Sequence, residues 1–160
     1  MQNFYGVVFR HGIMTGMLLA SVTAQAEWSL RDSGSACVLE TEEITRHDGY
    51  QDTSVRLNIN QQRLLVMTGS NVDTGFDDTA LQVDGHAMMT AVSADEEQNL
   101  RFDTGMPALV EQFRKGNRVR IYMRFWPTYP ATERFEIAFS LAGFTRAWND
   151  YTACAEKASQ

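Results

Sequence analysis

Over residues 118–126 the chain alternates without a break. Val119, Ile121, Met123 and Phe125 fall on one side; Arg118, Arg120, Tyr122, Arg124 and Trp126 fall on the other. A period of two belongs to a strand, whose successive side chains point to opposite faces. The apolar side needs a second layer to cover it, so the strand must lie in a sheet packed against something else. The stretch 133–139 returns with Phe135, Ile137 and Phe139 at inward positions, after the turn Trp126-Pro127-Thr128-Tyr129-Pro130. Residues 54–60 repeat the alternation with Val55, Leu57 and Ile59.

The other segments fit the same class. Strand signals cover 27–30, 35–41, 63–68, 80–83, 86–93 and 100–103, with Asp84-Gly85 as a hairpin turn between two of them. The polar stretches 42–52, 70–79 and 95–99 are expected to be loops. A short helix is predicted near 107–115, with Pro107 at a first helical position and Gly116 as its C-terminal cap. A second helix is predicted near 141–157, where Phe144, Trp148, Tyr151 and Ala155 share a face. The expectation is an α+β domain, mostly β, built as an antiparallel β-sandwich or strongly bent sheet.

The first 26 residues bear on where this domain works. Arg10 and His11 precede the apolar run 12–22, and Ala24-Gln25-Ala26 offers small residues where signal peptidase reads them. That run is short for a membrane span. Residues 1–26 are therefore expected to be a signal peptide and 27–160 a single exported domain, periplasmic or secreted. Both cysteines, Cys37 and Cys154, lie in the exported part. In an oxidising compartment the simplest state of such a pair is one disulfide. The chain carries a formal charge of −6, and loss of Arg10 makes it one unit more negative. Nucleic acid and anionic membrane surfaces are poor partners for such a chain, and no span is expected in the exported part.

The chemistry-bearing motifs are sparse. Gly69-Ser70 lacks the rest of a nucleophile elbow, and no phosphate-binding glycine loop is present. Asp73, Asp77 and Asp78, and separately Glu40, Glu42 and Glu43, do not match a calcium loop. His47 and His86 lack metal-site spacing, and two cysteines so far apart form no zinc motif. No cofactor, metal or catalytic residue is expected. The most suggestive surface is the outward stripe of Arg118, Arg120, Tyr122, Arg124 and Trp126, continued by Tyr129 at the stiffened turn. Arginine and aromatic residues dominate binding hot spots. The same stripe also suits a cross-strand charge ladder with Glu133 and Glu136.

The order of features resembles a known family. Trp28 is followed by Cys37-Val38-Leu39, then a β-rich middle, a basic strand, and Phe139-Ser140-Leu141-Ala142-Gly143-Phe144-Thr145-Arg146-Ala147 running to Cys154. This pattern resembles the invasion-associated locus B family, most sharply over 118–154. The family comprises small secreted or periplasmic proteins of Gram-negative bacteria. Its members commonly carry a further cysteine soon after the first tryptophan, and this chain has none there. The resemblance implies an exported β-sandwich with a disulfide and an interaction role, and it supplies no catalytic residues. The expected function is a non-enzymatic binding domain whose partner is another envelope or exported protein. An inhibitor or immunity-type protein is one concrete form; a small-ligand or glycan binder is the alternative. Expressed in a Gram-negative host, the exported protein should begin at Glu27 by intact mass. A periplasmic form retaining Met1 would contradict the leader.

Overall fold

A computed structural model describes residues 28–32, 36–95, 98–128 and 133–158. The expected leader and Tyr129 lie outside them. Eleven strands and two helices follow one another among the described residues: β1 (Trp28–Asp32), β2 (Cys37–Thr41), β3 (Ile44–His47), β4 (Asp52–Ile59), β5 (Leu64–Thr68), β6 (Ala80–Val83), β7 (Met89–Thr90), β8 (Ser93–Asp95), β9 (Asn99–Phe102), α1 (Met106–Lys115), β10 (Arg118–Met123), β11 (Phe135–Ser140) and α2 (Phe144–Ala158). The larger sheet runs β1-β2-β4-β5-β9-β8, with β3 added to β4; the smaller runs β11-β10-β6-β7. All pairings are antiparallel. The fold is thus mixed α+β and mostly antiparallel sheet, not closed into a barrel.

Alternation decides which residues form the core. Leu57, Ile59, Leu64 and Val66 of the larger sheet, and Val119, Ile121, Ile137 and Phe139 of the smaller, belong to one buried cluster. Burying a side chain of this kind favours folding by roughly 1.5–3 kcal/mol. Both helices close the core. Leu109 and Phe113 of α1 and Phe144, Trp148 and Tyr151 of α2 are buried. Trp28 meets Phe144 edge-on at 4.9 Å between ring centroids, and Phe144 meets Phe113 at 5.1 Å. The Trp28 indole N–H donates to the Ser140 carbonyl at 3.1 Å, fastening β1 to the end of β11.

A disulfide joins Cys37 on β2 to Cys154 on α2, across a sequence separation of 117 and a Cα–Cα distance of 6.0 Å. Closing so long a loop limits the unfolded chain, an effect worth about 4–5 kcal/mol in the chain-entropy treatment.

Several local expectations need correction. The supposed loop 42–52 contains β3, whose Ile44 pairs with Val55 and whose His47 pairs with Asp52. Thr45, Arg46 and His47 are all exposed, so backbone pairing rather than burial holds this strand. The return strand 86–93 shrinks to the two residues of β7. By Val92 the backbone has crossed to the other sheet, its N–H donating to the Arg101 carbonyl at 2.8 Å. Residues 93–95 of the next strand fall partly in the expected loop 95–99, and β9 begins within it at Asn99. The long strand 118–126 ends at Met123, because the following residues bond to another loop. Gly116 does cap α1, but with φ −85° and not in the left-handed region. It is required by space instead, since a Cβ there would lie 2.8 Å from the Gln112 carbonyl oxygen and from Val83 Cγ1. α2 starts at Phe144 rather than near 141, after Gly143 at φ 81°.

Cys154→Ser should lower the stability of the oxidised protein by about 2–5 kcal/mol in urea unfolding, since the cross-link acts on the whole chain. An unchanged urea midpoint would show that the bridge does not constrain the unfolded state.

Candidate functional site

Alternation along β10 brings the arginine stripe to the face opposite Val119, Ile121 and Met123. There, most of it is consumed by the protein itself. Arg118 is exposed, and its backbone N–H donates to Asp84 Oδ1 at 3.1 Å. Arg120 pairs with Glu136 at 3.0 Å. Tyr122 is buried: the Arg134 guanidinium lies 4.6 Å from its ring centroid, and its hydroxyl donates to Gln82 Oε1 at 3.3 Å. Arg124 grips Asp78 through Nε and Nη2, the latter at 2.7 Å, and its guanidinium also lies 4.5 Å from the Phe76 ring centroid.

Trp126 behaves differently. It is 61% exposed, whereas Trp28 and Trp148 are buried. Its backbone is fixed all the same. The N–H of Trp126 donates to the Asn71 carbonyl at 2.8 Å, and the N–H of Asp73 donates to the Arg124 carbonyl at 2.8 Å. Between them Val72 and Phe125 form an antiparallel bridge, with both side chains buried. Thr128 Oγ1 donates to Asp73 Oδ2, and Asp73 Oδ1 accepts the Gly75 N–H at 2.9 Å. Two separate loops are thereby locked together, and they present the indole outward.

A third loop joins them. The buried Asp48 carboxylate accepts the backbone N–H groups of Tyr50 and Gln51 at 2.8 Å and the Ser70 hydroxyl at 2.5 Å. Burial pushes this carboxyl up, but the Ser70 hydroxyl and the two amides outweigh burial and hold it below the ordinary carboxylate value. The Arg124 guanidinium does the same for Asp78, and Asp78 in turn raises Arg124. Tyr50, Phe76 and Trp126, each exposed, sit on the three loops so connected. A recess of about 390 Å³ opens beside Trp126, lined by Asn71, Val72, Asp73, Thr74 and Gly75. A smaller one of about 170 Å³ is lined by Phe76, Asp77, Thr79 and Val92 among others.

Of the stripe chosen from the sequence, the structure keeps Arg118, Arg120 and Tyr122 on β10, with Tyr122 buried, and carries Arg124 and Trp126 past its end to the loops. Sequence reasoning did not find Tyr50, Phe76, or the pairs Asp48–Ser70 and Asp78–Arg124. Phe76 had a signal: it is the lone aromatic in a mostly polar stretch, 70–79.

No family model and no curated protein matches the chain. The crystal structure of invasion associated protein b from Bartonella henselae does match, with a TM-score of 0.57. The two folds are similar. The match covers 84% of this chain and 97% of invasion associated protein b, at 17% identity. At that identity, invasion associated protein b informs the architecture and assigns no site residue.

The depressed carboxyls of Asp48 and Asp78 set an acid limit on the loop end. Their contribution to stability is complete above the ordinary aspartate value of 3.8 and is lost as pH falls through their lower folded values. Asp48→Asn should therefore destabilise the protein at neutral pH, and its gap to wild type should narrow as pH drops below about 4. Urea unfolding across that range measures the gap. A gap that stays constant or widens towards acid would refute the assignment.

Proposed function

We propose that this chain is a non-enzymatic exported domain that works by binding another protein of the cell envelope. Its working surface is the loop end that carries Trp126. One observation carries the reading: Trp126 is the exposed tryptophan, yet its backbone is hydrogen-bonded to a neighbouring loop on a buried bridge. A large apolar side chain left in water on a fixed backbone loses little entropy when a partner covers it. Tryptophan is also among the residues that dominate interface energies. Tyr50 and Phe76 extend the aromatic surface around it.

Other features support the same reading. The sequence pattern over 118–154 resembles an exported family with an interaction role. Among the described residues, no helix is long and apolar enough to cross a membrane. The hydroxyl–carboxylate pairs at the loop end, Ser70–Asp48 and Thr128–Asp73, are engaged in holding loops together. A small acidic domain of this kind suits a basic partner, and an inhibitor or immunity-type role is the concrete form we favour.

A second reading rests on the recess. Its wall of Asn71, Asp73, Thr74 and Trp126 combines hydrogen-bonding groups with an indole face, the lining a sugar or small polar ligand needs. The Thr79 hydroxyl, buried and without a partner among the described residues, lines the smaller recess nearby.

Trp126→Ala should leave the urea midpoint nearly unchanged and weaken capture of the partner from a periplasmic extract by fivefold or more, about 1 kcal/mol. Ile121→Ala should instead cost about 2–5 kcal/mol of stability. Wild-type capture by Trp126→Ala would remove the loop end from the function. Saturable binding of a saccharide at Trp126, with no protein captured, would favour the second reading.

A further inference from the structure

The smaller recess, about 170 Å³, lies where the chain crosses from β7 to β8. Thr79, the residue before β6, and Leu100 of β9 line it and are buried; Phe76, Asp77 and Val92 line it and are exposed. Its frame is held from both sheets. The Ala91 N–H donates to the Thr79 carbonyl at 3.3 Å, and the Val92 N–H donates to the Arg101 carbonyl at 2.8 Å. Arg124, itself gripped by Asp78, braces the Phe76 ring.

Two polar groups in this recess lack a partner among the described residues. The Thr79 hydroxyl is buried and makes no hydrogen bond. A buried hydroxyl left unpaired costs stability, so its presence calls for a reason. The Asp77 carboxylate is exposed and unpaired, whereas its neighbours Asp73 and Asp78 are engaged by Thr128 and Arg124. No basic side chain lines the recess.

Size and chemistry together select the occupant. A cavity of about 150 Å³ holds a single benzene ring, so this recess holds one side chain rather than a run of sugars or residues. Its walls are apolar at Ala91, Val92 and Leu100, and its free polar groups are acceptors. A guanidinium donates five N–H groups and accepts none. It is planar and more weakly hydrated than an ammonium, and its aliphatic stem covers apolar surface. We infer that, resting on the protein-binding role proposed above, this recess takes one arginine side chain of the partner. Asp77 pairs with the guanidinium, and the Thr79 hydroxyl accepts one of its N–H groups. The unpaired hydroxyl is then a cost of the free protein that binding removes. The net negative charge of the chain favours the same occupant at longer range.

The test titrates the 27–160 protein with N-acetyl-arginine methylamide and follows the backbone amides of Thr79, Ala91 and Val92 by NMR. These amides should shift saturably. N-acetyl-citrulline methylamide, neutral and of nearly the same shape, should bind about threefold more weakly or worse. Asp77→Asn should weaken the arginine probe about threefold, and Thr79→Val about fivefold or more. Glu156→Gln, which removes an exposed carboxylate on α2, should leave affinity unchanged. Thr79→Val keeps the shape of the side chain and removes the unpaired hydroxyl, so its urea midpoint should equal or exceed that of wild type. Equal binding of the two probes, no shift at these amides, or wild-type affinity in Thr79→Val would overturn the inference. A lowered midpoint in Thr79→Val would also overturn it, by showing that the hydroxyl is already satisfied within the fold. If the arginine probe does not bind and Trp126→Ala still loses the partner, this inference fails and the protein-binding role stands. If the probe binds but Asp77→Asn and Trp126→Ala both capture the partner as wild type does, the role of this end fails, and the inference with it.

Discussion

The chain changes sheets between β5 and β6, and the Val72–Phe125 bridge fixes how it does so. A backbone leaving one ladder for another must find partners for its N–H and C=O groups on the way. Here Asp73 donates to Arg124, and Trp126 donates to Asn71. Two hydrogen bonds and one buried apolar pair replace the ladder that both segments have left. The position of Trp126 follows. Phe125 turns into the core, so its neighbour turns out, and the indole is held in water by the same alternation that buries Phe125. The Asp73 carboxylate then ties the turn after Trp126 back to the crossing loop through Thr128.

The arginine stripe on β10 illustrates how little of a charged face is free for a partner once the fold is complete. Arg120 is paired with Glu136, and Arg124 makes a forked contact with Asp78. Forked arginine–carboxylate contacts fix geometry as well as charge. Arg124 therefore serves chiefly to hold the loop containing Asp78 and Phe76 against the end of β10. An exposed pair such as Lys115–Glu111 contributes little to stability by comparison. Three aromatic residues, Tyr50, Phe76 and Trp126, remain outward at this end, on loops tied together through Asp48, Asp73 and Asp78.

The strands that alternate were legible because periodicity is a local property. Val55, Leu57 and Ile59, and likewise Val119, Ile121 and Met123, are buried where the pattern places them. The cysteine pairing was legible because only two cysteines exist. β3 was not, since three of its four residues are exposed and its reason for being a strand is the neighbouring β4. The second crossing between sheets, after Thr90, left no mark in the run 86–93, which reads as one continuous strand signal with no turn residue inside it. Tyr122 occupies an outward position by period, and it is buried because Arg134, on the approach to β11, covers its ring. The acidic loop 70–79 had the composition of a solvated segment. Its structure comes from partners at Arg124 and Thr128, roughly fifty positions away, which no local pattern encodes.

The central claim is that Trp126 is exposed on a backbone already fixed before any partner arrives. Amide hydrogen exchange of the isolated protein, read at Asp73 and Trp126, measures this directly. Both N–H groups end in hydrogen bonds of 2.8 Å across the two loops. They should exchange orders of magnitude more slowly than an unstructured chain. Exchange at the unstructured rate, with the strand amides of β10 still protected, would show that the loop end forms only on binding and would contradict the account.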